Sequence, residues 1–220
     1  MASEEVRAGA PAVPAVADPA PLGLAGFALT TFVLSAHNAG WFGTVGNAVV
    51  IGLAIFYGGL AQFMAGMWEF RNRNTFGATA FSTYGGFWLA LGTYLLLITF
   101  GKVPTKDITT SLGWFLLGFA IFNTYMMFWA ARVNGAVFLV FLTLEATEIL
   151  LFLGFFTGTD LLIKAGGYIG VLTAFVAWYT SAAGVVNSMA QRPFLRVGTP
   201  LWGPPPVAPR PGSPMPRTRG

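Results

Sequence analysis

Fifty consecutive residues, Pro19 to Trp68, contain no Asp, Glu, Lys or Arg. Further charge-free runs follow at Asn74–Gly101, Ile108–Ala131 and Ala165–Gln191. A helix that crosses a bilayer needs about 20 apolar residues at a rise of about 1.5 Å each. The first run is long enough for two such helices. They are divided at Ser35-Ala36-His37-Asn38-Ala39-Gly40, a polar, small-residue cluster that reads as a turn. Each later run holds one helix, and a sixth apolar stretch, Val133–Gly158, carries two acids within it, Glu145 and Glu148. The predicted spans are Leu22–His37, Val45–Trp68, Thr75–Phe100, Ser111–Ala131, Ala136–Phe156 and Ala165–Ala190. Strands of a barrel would alternate over about 10 residues, and these runs are continuous. The expected fold class is therefore all-α, with six transmembrane helices per subunit.

Only 9% of residues are charged, against about 25% in a soluble domain. Such sparse charge excludes a soluble enzyme. The chain also lacks a Gly-rich phosphate loop, an HExxH motif and a Ser/His/Asp set in an extramembrane domain. With no Cys and one His, thiolate and multi-histidine metal sites are excluded. No metal and no cofactor is expected.

The Lys and Arg residues set the expected topology. With the N-terminus inside, Arg7, Arg71, Arg73, Arg132, Arg192, Arg196, Arg210, Arg217 and Arg219 lie inside, and Lys102, Lys106 and Lys164 lie outside. This bias predicts that both termini are cytoplasmic in a cell (plasma) membrane protein. The net charge of +4 is then topological, the lipid bilayer is the expected partner, and nucleic acid is not. The first span is preceded by a long Pro-rich stretch of mixed charge and does not read as a cleaved signal peptide. Residues 1–17 and 192–220 are expected to be disordered. The second of these segments holds nine of the 14 Pro and five Arg. Residues 18–191 form the six-helix membrane domain.

Four features within the domain carry chemistry. Asp18-Pro19-Ala20-Pro21-Leu22-Gly23-Leu24 reads as a helix start, with Pro tolerated in the first turn and Asp18 able to cap. If buried, that start would also attract an anion. Tyr57–Gly66 holds the small-residue pair Ala61/Ala65 and one half of Ala54/Gly58, echoed by Gly154/Gly158 and Gly166/Gly170, which allow close helix packing. It also holds Gln62, a neutral amide in mid-membrane that needs a partner or water. Asn74–Trp88 places Thr75, Thr79 and Ser82 on one helical face by i, i+4, i+7 spacing, beside Tyr84. Thr and Ser can equally bond back to their own helix. Glu145 and Glu148, at i and i+3, share one side of the fifth span. They read either as a proton-linked pair or as a polar contact between helices. His37 and Asn38 end the first span, where a lone His is a polar turn residue or a proton relay.

Asp18–Leu24, Tyr57–Gly66 and Asn74–Trp88, in this order, resemble the signatures of the acetate uptake transporter family, whose bacterial members are the succinate–acetate permeases. The resemblance covers about Asp18 to Met189. It implies a ring-shaped homohexamer with a substrate path through each protomer. It implies acetate and related small carboxylates as substrates, often with succinate, usually coupled to protons. It also implies a narrow apolar constriction formed by Phe27, Tyr84 and Leu144. The family opens its first motif with Asn-Pro where this chain has Asp18-Pro19. Its bacterial members are mostly apolar where this chain has Glu145 and Glu148.

On this reading the helix-1 entrance is Asp18, Pro19, Pro21, Leu22 and Gly23. The neutral donors Asn38, Gln62, Thr79 and Ser82, with Tyr84, replace water around the carboxylate. Glu145, Glu148 and His37 are the candidates for proton coupling. The alternatives are a passive carboxylate channel and a membrane protein that senses acetate or assists assembly without net transport.

Overall fold

A computed structural model of the chain describes residues 16–43, 46–190 and 193–203. Seven α-helices make six spans: α1 Ala20–Asn38, α2 Gly46–Ile55, α3 Gln62–Arg71, α4 Thr75–Thr99, α5 Ile108–Ala130, α6 Gly135–Thr157 and α7 Asp160–Met189. A π-helical segment, Phe56–Ala61, joins α2 and α3 into one span. All six spans are long and apolar enough to cross a bilayer. α7 begins at Asp160, earlier than expected, because Asp160 and Lys164 sit in its opening turns, where long side chains reach the interface.

Local sequence accounts for the turns. Asn74 caps α4 by accepting from the Gly77 N–H at 3.0 Å, and Asn134 caps α6 by accepting from Val137 at 2.9 Å. Gly158 closes α6 in the left-handed conformation, at φ 65°. That is a turn function, and the helix-packing role expected of Gly154/Gly158 falls to Gly154 alone, which meets Ile163 and Leu162.

The π segment comes from close packing. An added Cβ on Gly58 would lie 2.6 Å from Thr30 Oγ1, and one on Gly26 would lie 2.7 Å from the Tyr57 carbonyl oxygen. At 3.6 residues per turn, the buried face of α2 (Val50, Ala54) would continue through about 57, 61 and 68. The wider π turn shifts it by about one position, so that Gly58, Gln62, Ala65 and Glu69 are buried and Trp68 is half-exposed.

The helices close into a ring. α1 packs on α7, α7 on α6 and α6 on α5, while α1 also meets the π segment and α3, which pack on α4. α4 and α5 complete the ring through aromatic side chains: Phe87 stacks on Phe115 at 5.0 Å and meets Phe119 edge-on at 4.7 Å. The starts of α1, α4 and α6 gather at one end of the bundle, called here the terminal end.

The segment Pro193–Gly203 departs from the expected disordered tail. Asn187 of α7 accepts from Phe194 and Leu195 N–H at 2.7 and 2.9 Å and donates to the Leu195 carbonyl at 2.8 Å. Tyr179 donates to the Arg196 carbonyl at 2.7 Å. The Val197 carbonyl accepts from Ala136 N–H at the start of α6, and Leu201 N–H donates to Ala131 at the end of α5, both at 2.8 Å. The segment thus satisfies backbone groups that two helix ends leave open. Trp202 sits against Trp129 and under Arg132. Proline composition suggested disorder, but these fixed partners outweigh it. The expectation for residues 1–15, 192 and 204–220 lies outside the described residues.

Candidate functional site

Two interior cavities lie end to end inside the ring. The first, about 80 Å³, is lined by Thr31, Leu34, Ser35 and Asn38 of α1, Phe87, Trp88, Leu91 and Leu95 of α4, Leu112 and Leu116 of α5, and Thr147, Glu148, Leu151 and Phe155 of α6. The second, about 100 Å³, lies toward the terminal end, among Ala20, Leu24, Gln62, Glu69, Asn74, Phe76, Gly77, Ala80, Phe81, Val133, Val137, Val140 and Phe141. Three further residues line both: Phe27, Tyr84 and Leu144. All three are buried, at 5%, 4% and 7% exposure. They arrive from α1, α4 and α6, so the boundary between the cavities is made by three helices at one level.

Tyr84 is held on all sides. Its ring centre lies 5.9 Å from that of Phe27, 6.0 Å from Phe119, 5.6 Å from Phe122 and 6.4 Å from Phe141. Its hydroxyl lies 2.9 Å from Asn123 Oδ1 and 3.3 Å from Glu148 Oε1. Asn123 Nδ2 donates to the Phe141 carbonyl at 2.9 Å and to Glu145 Oε2 at 2.7 Å. Thr124 donates to Glu145 Oε1 at 2.7 Å. One polar network therefore runs from the boundary into the α5–α6 contact.

The two acids separate. Glu148 is buried and lines the first cavity, and its Oε2 has no hydrogen-bond partner. Glu145 lines neither cavity and is held by α5. Asn38 lines the first cavity and Gln62 the second, with Gln62 Oε1 buried and unpartnered. Thr79 and Ser82 line neither cavity. Ser82 packs against Gly66, where α3 and α4 approach most closely, and a Cβ on Gly66 would lie 2.5 Å from the Ser82 backbone nitrogen. Ser82 thus belongs to the packing face of α4 against α3. His37 also lies outside both linings, its ring 5.9 Å from Phe42.

The entrance motif docks the start of α1. Asp18 Oδ1 accepts from the Ala20 N–H at 3.0 Å, so its carboxylate is engaged by the helix start. The Pro21 carbonyl accepts from Ser181 at 2.7 Å. Gly184 abuts Pro21, and Gly23 abuts the Phe81 ring. Leu22 is exposed on the outer surface.

Sequence reasoning passed over three residues. Trp88 lines the first cavity with a buried, unpartnered Nε1, and Glu69 lines the second with a buried, unpartnered Oε1. Their spacing could have found them: Trp88 is i+4 from Tyr84 and Glu69 is i+7 from Gln62. Asn123 is fully buried, and its signal was an amide in the middle of the fourth predicted span. Among the residues lining the two cavities there is no Lys or Arg.

A model of the GPR1/FUN34/yaaH family matches residues 4–198. The chain is 45% identical over 189 residues to acetate permease A of Emericella nidulans, covering 78% of this chain and 62% of that protein. It thus spans less than two thirds of that relative's length. It is 37% identical over 183 residues to the succinate-acetate/proton symporter SatP of Escherichia coli, covering 83% of this chain and 96% of that one. The solved structure of the bacterial acetate channel SatP superposes with a TM-score of 0.79 at 36% identity, over 83% of this chain and 99% of that chain.

Proposed function

The chain belongs to the GPR1/FUN34/yaaH family, and from that premise we propose that it carries acetate, and with it succinate and other small carboxylates, across a membrane. The path runs through the interior of each protomer and is coupled to protons. One observation carries the reading: two interior cavities meet at Phe27, Tyr84 and Leu144 and share no other residue. The relatives' acetate permease and symporter activities support the substrate.

The geometry suits a small anion with a methyl end. A carboxylic acid such as acetate, with a pKa near that of Glu, about 4.3, is anionic at neutral pH and hydrocarbon repels it. Neutral donors replace its water: Thr31, Ser35, Asn38 and the Trp88 indole in the first cavity, and Gln62 and Asn74 in the second. A Lys or Arg would bind the anion tightly and slow its release, and none lines the path. The apolar boundary admits the methyl group and limits size. Glu148, at the boundary and within reach of Tyr84, is the coupling group. Glu145 and His37, outside both cavities, are not. The lysine and arginine bias supports cytoplasmic termini in a plasma membrane. Trp114, Ile121 and Phe128, exposed at i+7 spacing along α5, supply an outer face for lipid or a neighbouring subunit of a homohexamer.

The test is labelled-acetate flux into proteoliposomes with and without a pH gradient. Coupled transport accelerates with the gradient and collapses with an uncoupler, and Glu148→Gln abolishes that response. Flux that follows acetate alone makes the protein a passive channel, the mode named for the matched SatP structure. No flux from a folded protein makes it a sensor or assembly partner.

A further inference from the structure

We propose that Asn123 is a positioning residue for Tyr84: it fixes the direction of the Tyr84 hydroxyl and so decides what the cavity boundary offers to Glu148. The inference rests on the reading above, in which Tyr84 bounds the path and Glu148 carries the proton.

The available protons fix the direction of each bond. The two Nδ2 hydrogens of Asn123 face the Phe141 carbonyl and Glu145 Oε2, a backbone oxygen that only accepts and a carboxylate. The amide nitrogen must therefore lie on that side, and Oδ1 must face Tyr84. An amide oxygen cannot donate, so the single hydroxyl proton of Tyr84 is committed to Asn123. Toward Glu148 Oε1, 3.3 Å away, Tyr84 then presents only lone pairs. A protonated Glu148 completes the chain by donating to Tyr84. An ionised Glu148 sets lone pairs against lone pairs unless the hydroxyl rotates away from Asn123 and leaves a fully buried amide oxygen unpaired. Glu145 and Thr124 hold the amide in place from outside the path. Proton release from Glu148 and rotation of the Tyr84 hydroxyl thus become one event at the boundary between the cavities.

The titratable groups that face this pair are Glu145 from α6 and Tyr125 from α5. From α1 the first cavity receives Thr31, Ser35 and Asn38, and from α4 the Trp88 indole; α7 offers Thr173, which contacts Thr147. Among the described residues, no Lys, Arg or His lines that cavity.

The experiment is a mutant cycle read by the pH profile of acetate uptake in proteoliposomes. Asn123→Leu frees the Tyr84 hydroxyl to donate to Glu148, and the profile is expected to move to more acid pH. In a Tyr84→Phe background, which has no hydroxyl to direct, Asn123→Leu is expected to leave the profile where Tyr84→Phe alone puts it. If Asn123→Leu moves the profile equally in both backgrounds, or in neither, Asn123 does not act through Tyr84 and the inference fails. If Tyr84→Phe itself leaves the profile in place, the underlying reading of Tyr84 and Glu148 fails instead. Asn123→Ser, too short to reach Tyr84, repeats the test should the Leu variant not fold. Glu145→Gln, which still accepts from Asn123 but removes a negative charge facing Glu148, is expected to move the profile to more acid pH and to keep the response to a pH gradient; loss of that response, as in Glu148→Gln, overturns its assignment as an anchor.

Discussion

Truncating Leu144 to Ala removes three carbon atoms from the shared wall of the two cavities. At about 0.8 kcal/mol per buried methylene, the lost burial costs about 2.4 kcal/mol. Space of about 80 and 100 Å³ already stands on either side, so the void joins existing openings. The total should lie toward the lower end of the roughly 2–5 kcal/mol seen for Leu→Ala in cores. The functional effect is larger. One methylene in an apolar slot discriminates by about 1–3 kcal/mol, so relieving the wall should shift the acetate-to-butyrate ratio toward butyrate by about tenfold or more. Competing uptake of labelled acetate and butyrate into proteoliposomes measures the ratio directly. Leu144→Met, which nearly conserves volume, should leave it in place. A folded Leu144→Ala protein with the parental ratio would refute the assignment of this wall as the size filter.

Gly85→Ala tests the α3–α4 crossing: the new Cβ would lie 2.6–2.7 Å from Phe63 N, Cα and Cβ, and thermal unfolding in detergent should show a loss of about 1–3 kcal/mol. Gly86→Ala, with nothing within 4 Å, is the matched control and should not lose stability. Asn187→Ala removes three hydrogen bonds to the Pro193–Gly203 segment, and limited proteolysis should then cut that segment faster than in the parent. Glu69→Gln keeps a partner for Asn72 but takes a carboxylate out of the second cavity, and KM for acetate at neutral pH should fall about tenfold once that like charge is gone. An unchanged KM would mean that the anion does not pass Glu69.

The charge gaps made the spans legible because lipid penalises charge so heavily that its absence is written into the chain. Helix ends were less legible where a charged residue opens a helix, as Asp160 and Lys164 do in α7. The boundary residues Tyr84 and Phe27 could be placed because the first lies inside a motif and the second follows one by three residues, whereas Leu144 was set by counting back along an apolar helix. Ser82 shows the limit of face arithmetic: periodicity tells which residues share a face but not whether that face meets a cavity or a neighbouring helix. The α3–α4 approach, set by Gly66 and Gly85, decides it. Asn123 sits in the fourth predicted span while its partners come from the third and fifth, so no local window connects them. The docked segment after α7 was hidden because its partners, Ala131, Ala136, Tyr179 and Asn187, lie on three different helices.

The π turn at Phe56–Ala61 makes α3 a gear whose setting depends on one tooth. Winding the same residues as plain α-helix, without the π turn, would rotate every later position of α3 by about 100°. Trp68 would swing toward the place of Glu69, and Ala61 toward that of Gln62, emptying the second cavity of both polar groups at once. No single substitution on α3 could do as much. Length and winding are therefore coupled here: a stretch one residue shorter, wound as plain α-helix, would keep Gln62 and Glu69 on the buried face.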